Sequence, residues 1–304
     1  MREIPPFEPL RLLTETRLEP LITVAILLAG WLYFWGVRLL AERGVSWPLG
    51  RQIAWYVGGL GTLAFATLSG LAAYDTVLFS AHMVQHMLLA MVAPIFLALG
   101  APVTLALRVL PRRGRSILTG ILHSRVATLV TFPAVGWVLF VASPFALYFT
   151  GWYAATLDNA VLHEALHAHF VLVGAIFFWP LIGVDPIPGR VPHPMRVLLL
   201  VTTLPIHVVL GLTIMTERSV IAADHYNSLG LVWIDPLLDQ RVGGGLLWAS
   251  GDLIGLLMLG AAAVQWKRAS DREALREDRR LDRLEEQEAK RAAQRAPDAG
   301  GLSR

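Results

Sequence analysis

The sequence predicts an all-α polytopic membrane protein, a bundle of seven transmembrane helices with a charged cytoplasmic C-terminal helix. Of the 304 residues, 55% are hydrophobic and only 16% are charged, whereas soluble domains carry about 25% charged residues. The charge is also uneven, because residues 267–304 contain 11 of the 26 basic and 9 of the 23 acidic residues. We therefore divide the chain into an N-terminal extracytoplasmic segment (1–19), a membrane domain (20–266) and a charged cytoplasmic tail (267–304).

Seven apolar runs predict the transmembrane helices, because about 20 apolar residues cross a bilayer core about 30 Å thick. The predicted spans are 20–40, 52–73, 78–100, 126–148, 161–182, 196–216 and 245–266. Pro133 and Pro144 fall in the fourth run and Pro205 falls in the sixth. They are predicted to mark bends, since membrane helices tolerate prolines where neighbouring groups satisfy the freed carbonyls.

The two ends of the chain differ from this apolar middle. Residues 1–20 lack the apolar core of a cleavable signal peptide. From Lys267 to about Arg295, Glu and Arg recur at helical spacing, which predicts a solvated helix that follows the last span. Residues 297–304 are predicted to be disordered.

The arginines of the connections predict the orientation. Connections 41–51, 101–125 and 183–196 contain arginines, whereas 74–77 and 149–160 contain no basic residue. Because basic residues accumulate in cytoplasmic connections, the N-terminus is predicted outside and the tail in the cytoplasm. Three arginines on the segment placed outside run against the rule: Arg2, Arg11 and Arg17. The arginines that flank the predicted spans explain the pI near 9.5, so no nucleic-acid partner is expected. The predicted environment is a lipid bilayer.

The third span begins with a pair of histidines. His82 and His86 stack on one face of a helix, with Met83 and Met87 on the strip beside them. Imidazole and thioether donors suit copper, particularly Cu(I). The chain contains no cysteine, which excludes disulfides, thiolate metal sites and covalent haem attachment.

Further histidines fall at the same predicted depth. His163 and His167 repeat the four-residue spacing at the outer end of the fifth span, and His207 lies in the outer half of the sixth. Ionisable groups inside a membrane usually face the bundle interior and serve a function. We therefore predict an outer pocket between spans three, five and six. Its predicted copper ligands are His82, His86, His163, His167 and His207.

Other residues are weaker candidates for the same pocket. Met83, Met87 and Met215 could add thioethers, although methionine stripes are commonly packing residues. His225, in the connection after the sixth span, could reach the pocket or be solvated. Asp75 and Asp252 are candidate carboxylates that fix an imidazole tautomer, with solvation at a helix end as the alternative. Glu164 could act as a ligand or a proton acceptor.

Three alternatives to copper handling remain open at this point. His163, Glu164 and His167 match H-E-x-x-H, the zinc motif of metalloproteases. Such an intramembrane protease needs an aspartate from a later helix, and the nearest is Asp252. Two imidazoles from different helices could instead ligate haem. The chain could also be a scaffold without metal. Because nothing resembles a nucleophile with its base, no enzyme is predicted.

Several short motifs, taken in order, resemble a known family. They are His-Met-Val-Gln-His-Met-Leu-Leu at 82–89, Leu-Gly-Ala-Pro at 99–102, His-Glu-Ala-Leu-His-Ala-His at 163–169, Phe-Trp-Pro-Leu at 178–181, Pro-Ile-His at 205–207 and Gly-Gly-Gly at 243–245. Residues 20–266 thereby resemble the seven-span CtaG type of cytochrome c oxidase assembly factor, which is distinct from the single-span copper chaperone of that name.

The resemblance implies a non-catalytic role in maturing a haem–copper oxidase in a bacterial plasma membrane, by helping copper reach the oxidase. The implied partners are cytochrome c oxidase subunits. A copper chaperone and a second copy of the chain are further candidate partners.

Overall fold

The computed structural model describes residues 5–188 and 191–295, with side chains as far as residue 291. Throughout these ranges the regular secondary structure is helical, so the predicted all-α class is confirmed. Arg2 and the predicted disordered end at 297–304 lie outside the described residues.

Eight of the described helices form the main part of the membrane domain, and three others, Arg112–Leu122, Arg125–Val130 and Ala223–Ser228, lie in its connections. The eight are α1 Pro20–Glu42, α2 Leu49–Tyr74, α3 Phe79–Val109, α4 Pro133–Tyr148, α5 Trp152–Asp158, α6 Ala160–Ile182, α7 His193–Thr216 and α8 Pro236–Arg295. Six of them are long and apolar enough to cross a membrane. The helices α4 and α5 meet at a bend of 69°, and they make a seventh span if the pair counts as one. The chain is therefore a membrane protein.

Two predicted span boundaries differ from the structure. The fourth span was expected from residue 126, but α4 begins at Pro133, because proline lacks an N–H and fits the first helical turn. The seventh was expected from residue 245, but α8 begins at Pro236, where Asp235 accepts a hydrogen bond from the Leu237 N–H at 2.8 Å. The same helix continues through the predicted tail to Arg295 without a break.

Glycines allow the helices to pack at close range. A Cβ on Gly174 of α6 would lie 2.0 Å from the Ala90 carbonyl oxygen of α3. A Cβ on Gly211 of α7 would lie 2.7 Å from the Gly244 carbonyl oxygen of α8. In a membrane, helices associate largely through such close packing. The contact at Gly174 holds α3 against α6, which are the two helices that carry the histidine pairs.

A π-helical turn interrupts α3 at Leu88–Val92, between His86 and Pro94. Proline cannot donate the hydrogen bond of a regular α-helix, so a widened turn beside it is a common way to accommodate the lost bond. Such turns are frequent at functional sites. This one lies directly after the histidines of the third span.

The N-terminal segment packs against one end of the bundle. A Cβ on Gly70 would lie 2.0 Å from the Arg11 carbonyl oxygen, and Tyr74 donates a hydrogen bond to the Pro5 carbonyl at 3.0 Å. These contacts bring residues 15–19 next to the junction between α2 and α3. We call this side of the bundle the Asp75 end, because Asp75 lies in that junction.

Candidate metal centre

Asp75 is the centre of a buried cluster at the Asp75 end. His163 donates from Nε2 to Asp75 Oδ2 at 2.5 Å, and His167 Nε2 lies 3.3 Å from the same oxygen. The two imidazoles project from successive turns of α6 with ring centroids 4.6 Å apart. All three side chains are almost fully buried. We refer to Asp75, His163 and His167 as the Asp75 cluster.

Two charged residues of the N-terminal segment complete its surroundings. His167 donates from Nδ1 to Glu19 Oε2 at 2.9 Å, and Arg17 Nη1 contacts Asp75 Oδ1 at 3.3 Å. Glu19 directly precedes Pro20 of α1 and is 2% exposed. Sequence reasoning did not identify either residue. The one available signal was that Arg17 runs against the expected charge of an outer segment.

Opposing effects act on the ionisation of Asp75. Burial raises the pKa of the Asp75 carboxyl group. Hydrogen bonds and Coulomb interactions with His163 and His167 lower this pKa by more than burial raises it, so the net shift is downward. Asp75 therefore stays ionised at neutral pH. A buried carboxylate is stable only when it is paired, and here it has three partners.

The donor set of this cluster fits a transition metal. One donor atom from each member of the Asp75 cluster lies within 4.8 Å of the others. Tetrahedral donors bound at about 2.0–2.1 Å stand roughly 3.3 Å apart, so the donors would move little. Imidazole nitrogen with carboxylate oxygen suits Cu(II) and zinc.

Unpartnered polar atoms lie on His163 itself and on the neighbouring residues Glu19 and His82. Within the described ranges, Glu19 Oε1, His82 Nδ1 and His163 Nδ1 are buried and make no hydrogen bond. Buried polar atoms normally have a partner, and exceptions indicate a water or an ion. His82 is adjacent, with its ring centroid 6.5 Å from that of His163. Glu19 and His82 are therefore candidates for further donors beside the three of the Asp75 cluster.

Tyr148, the last residue of α4, connects the two histidines of α3. Its hydroxyl lies 3.1 Å from His82 Nε2 and 2.7 Å from His86 Nδ1. A hydroxyl can donate to one ring and accept from the other. All three groups are buried. The sequence contains no signal for this role, because the tyrosine is 62 residues away from its nearer partner.

His86 and His207 do not join the Asp75 cluster. Both line a separate cavity of about 20 Å³, together with Met87, Met91 and Phe170. His82 and His86 are one helical turn apart, about 6 Å along the axis. The predicted pocket of five histidines is thus divided, with His82 beside the Asp75 cluster and His86 on the inner cavity.

Two of the candidate methionines, Met83 of α3 and Met215 of α7, face α8. Met83 is fully buried, and its side chain packs against Gly243 of α8. Met215 packs against Gly244 and Gly245 at the end of α7. Close packing with glycine backbone explains both positions. Met87, by contrast, lines the inner cavity.

The remaining candidates lie apart from the Asp75 cluster. His225 Nε2 donates to the Thr76 carbonyl at 2.8 Å and fastens the connection after α7 to the Asp75 end. Asp252 accepts from Trp248 Nε1 at 3.0 Å within α8, rather than from an imidazole. Glu164 is half-exposed on α6 and is not part of the metal-ligand group. The aspartate that does meet His163 comes from an earlier part of the chain, not from a later helix.

Comparison with known proteins identifies the family. The model of the cytochrome c oxidase caa3 assembly factor family, Caa3_CtaG, matches residues 31–269. The chain belongs to the Caa3_CtaG family. The resemblance noted in the sequence is thereby confirmed.

Similar proteins occur in mycobacteria. An uncharacterised protein of Mycobacterium bovis and one of Mycobacterium tuberculosis are each 42% identical over 280 residues, which is 90% of this chain. A protein of Mycobacterium leprae is 38% identical over the same length. The chain spans 42% of the length of these relatives. No solved structure matches.

The Caa3_CtaG match contains most of the centre. The Asp75 cluster, Tyr148 and His207 all lie between residues 31 and 269. Arg17 and Glu19, which contact the Asp75 cluster, precede that range.

We expect Tyr148→Phe to lower stability by about 1–3 kcal/mol, because it leaves two buried imidazole nitrogens without their shared partner. Thermal unfolding of the purified protein in detergent measures this loss. Tyr56→Phe is the comparison, since its hydroxyl makes one half-buried bond to the Gly30 carbonyl and should cost about 0.5–1.5 kcal/mol. Equal losses of stability in the two variants would show that the Tyr148 hydroxyl contributes no more than a single ordinary hydrogen bond.

Proposed function

We propose that this protein helps to mature a haem–copper cytochrome c oxidase by binding a copper ion at the Asp75 cluster. The observation that carries the proposal is the buried carboxylate of Asp75 between His163 and His167, with unpartnered donors around it. Membership of the Caa3_CtaG family is the reason for proposing a cytochrome c oxidase as the recipient. The copper ion is cargo, and the protein's part is to bind it, shield it and release it.

The donors favour Cu(II) at this cluster. Nitrogen and oxygen ligands are typical of Cu(II), whereas thioethers favour Cu(I). Copper would take the place of the proton between His163 and Asp75, because ligands bind a metal in their deprotonated form. Glu19 Oε1 and His82 Nδ1 are candidate additional donors. Several donors around one ion allow it to exchange ligands on the way in and out.

The charge pattern supports a periplasmic opening for the Asp75 end. Connections 74–77 and 149–160, on that side, contain no basic residue, whereas the opposite side carries the arginines of 41–51 and 101–125. By the positive-inside rule the Asp75 end then faces outward in a bacterial plasma membrane, with the tail in the cytoplasm. An oxidase subunit, a copper chaperone or a second copy of the chain would exchange copper from that side.

Zinc is the second candidate ion, because two imidazoles and one carboxylate are also a zinc ligand set. A zinc protease would further need Glu164 at the metal as a general base. Glu164 is instead half-exposed outside the cluster, so the arrangement favours metal binding without catalysis.

The other two alternatives have less support. Haem would need an open slot between imidazoles of different helices, whereas His163 and His167 share α6 and the histidine-lined cavity beside them holds about 20 Å³. A scaffold without metal would need ordered water at the unpartnered donors around Asp75, and it gives the convergence of two imidazoles on one carboxylate no role.

We expect purified wild-type protein to bind Cu(II) stoichiometrically and His163→Ala to bind it at least about tenfold more weakly, since a metal ligand is removed. His169→Ala is the matched control, because His169 lies on the same helix but is exposed on its outer face. Elemental analysis and Cu(II) titration provide the measurement. The same affinity in all three proteins, or zinc as the retained metal, would contradict the copper assignment.

The same three proteins test the cellular role. His163→Ala should lower the copper content of the assembled oxidase in a strain that lacks the native gene, and His169→Ala should not. Full oxidase assembly with His163→Ala would favour the scaffold.

A further inference from the structure

A second group of donors lies around a small cavity, one helical turn deeper in the bundle than the Asp75 cluster. Its volume is about 20 Å³, and its lining includes His86, Met87, Met91 and His207. A space above about 10–15 Å³ can hold one water-sized group. The cavity therefore has room for a single ion and for little else. We call it the inner cavity.

The imidazoles of the inner cavity have nitrogen atoms available. His86 uses Nδ1 for Tyr148, which leaves Nε2 as its second nitrogen. His207 Nδ1 is buried and makes no hydrogen bond to any described residue. A buried ring nitrogen without a partner is costly unless another group, such as an ion, meets the imidazole.

Neighbouring aromatic rings hold both imidazoles in place. The His86 ring stacks on Phe170 with centroids 4.0 Å apart. The His207 ring lies edge-on to Phe140 at 5.8 Å and packs against Gly251 of α8. Rings fixed in this way form a preorganised site, because little movement remains to be lost when a ligand binds.

The thioethers come from consecutive turns of α3. Met87 and Met91 are buried and four residues apart, and Met91 lies inside the π-helical turn Leu88–Val92. Among the residues that the structure describes, no carboxylate lines the cavity. Two imidazoles and two thioethers form a neutral, soft donor set, which suits Cu(I) and not Cu(II), calcium or magnesium.

We propose that the inner cavity is a second metal site, selective for Cu(I), with His86, His207, Met87 and Met91 as its ligands. The proposal rests on the proposed function in one respect, namely that the chain handles copper. It goes beyond it by assigning a second site with a different donor set. The Tyr148 hydroxyl lies between the two sites, with His82 on one side and His86 on the other.

The test is an anaerobic titration of the full chain in detergent with Cu(I), in competition with a chromophoric Cu(I) chelator. X-ray absorption of the Cu(I) form then reports the ligand atoms. We expect sulfur ligands in the wild-type spectrum. The double variant Met87→Leu/Met91→Leu should lose them and bind Cu(I) at least about tenfold more weakly, while leucine conserves the packed volume.

Met83→Leu is the matched control, because Met83 is equally buried on α3 but packs against Gly243 away from the inner cavity. It should keep the sulfur ligands and the wild-type Cu(I) affinity. The proposal is overturned by a wild-type Cu(I) spectrum without sulfur. It is also overturned by an unchanged affinity in the double variant, or by equal losses in the double variant and in Met83→Leu.

The two sites can fail separately. Paramagnetic resonance of added Cu(II) reports the Asp75 cluster, and the sulfur signal of added Cu(I) reports the inner cavity. Sulfur-bound Cu(I) in a protein that binds no Cu(II) would support the inner cavity and overturn the assignment of the Asp75 cluster. A Cu(II) signal that depends on His163, with Cu(I) bound through nitrogen alone, would do the reverse.

Discussion

Asp75→Ala should destabilise the folded protein by about 3–5 kcal/mol, because it leaves His163, His167 and Arg17 without the carboxylate they share. Breaking a buried ion pair by removing one partner is costly, since the charge that stays behind remains desolvated. Thermal unfolding in detergent measures the effect, and Tm should fall by roughly 6–20 °C. Cu(II) binding at the Asp75 cluster should be lost in the same variant.

The control for this prediction is Asp252→Ala. Asp252 is only partly buried and accepts a single bond from Trp248 in its own helix, so its loss should cost about 1 kcal/mol. If both alanine variants unfold at the same temperature, the Asp75 cluster does not stabilise the Asp75 end of the bundle as described.

Gly174→Ala is expected to cost about 3 kcal/mol or more, at the upper end of overpacking substitutions. The new Cβ would lie 2.0 Å from the Ala90 carbonyl oxygen and 2.8 Å from Pro94 Cγ. The first of these contacts is with backbone, so α3 and α6 must move apart. Because these helices carry His82 and His163, the variant should also weaken Cu(II) binding. Unfolding temperature and Cu(II) affinity are the two measurements.

Gly260→Ala is the matched substitution in a membrane helix, since a Cβ there meets nothing within 4 Å. It should be neutral or stabilising by up to about 1 kcal/mol, through the better helix propensity of alanine. A similar loss in both glycine variants would mean that close packing at Gly174 is not the cause.

Hydropathy predicted the class and the long helices for a clear physical reason. A membrane segment must satisfy its own backbone, so a long apolar run becomes a helix. The bent pair α4 and α5 was harder to predict, because α4 has only 16 residues, or about 24 Å, and leaves the crossing incomplete without its partner. The start of α8 at Pro236 lies nine residues before the predicted span, and the three glycines at 243–245 stay helical in contact with α3 and α7.

The candidate centre was only partly predictable from the chain. Spacing by four places His163 and His167 on one face of α6, and their geometry follows from that alone. Spacing does not show that His82 and His86 reach different neighbours one turn apart. It also does not show where residues 15–19 pack, because a segment outside the apolar runs has no periodicity that predicts its contacts. Arg17 and Glu19 therefore emerged only from the three-dimensional structure.

The uninterrupted helix α8 links the inside of the bundle to the far end of the chain. Its 60 residues measure about 90 Å, and residues 267–291, almost wholly exposed, account for roughly 37 Å of that length. An arm of this reach amplifies movement, since a tilt of about 10° at its base displaces its tip by roughly 6 Å. Gly251 of the same helix touches the His207 ring. A partner that bound the exposed arm and tilted α8 would therefore also move the backbone against which that imidazole packs.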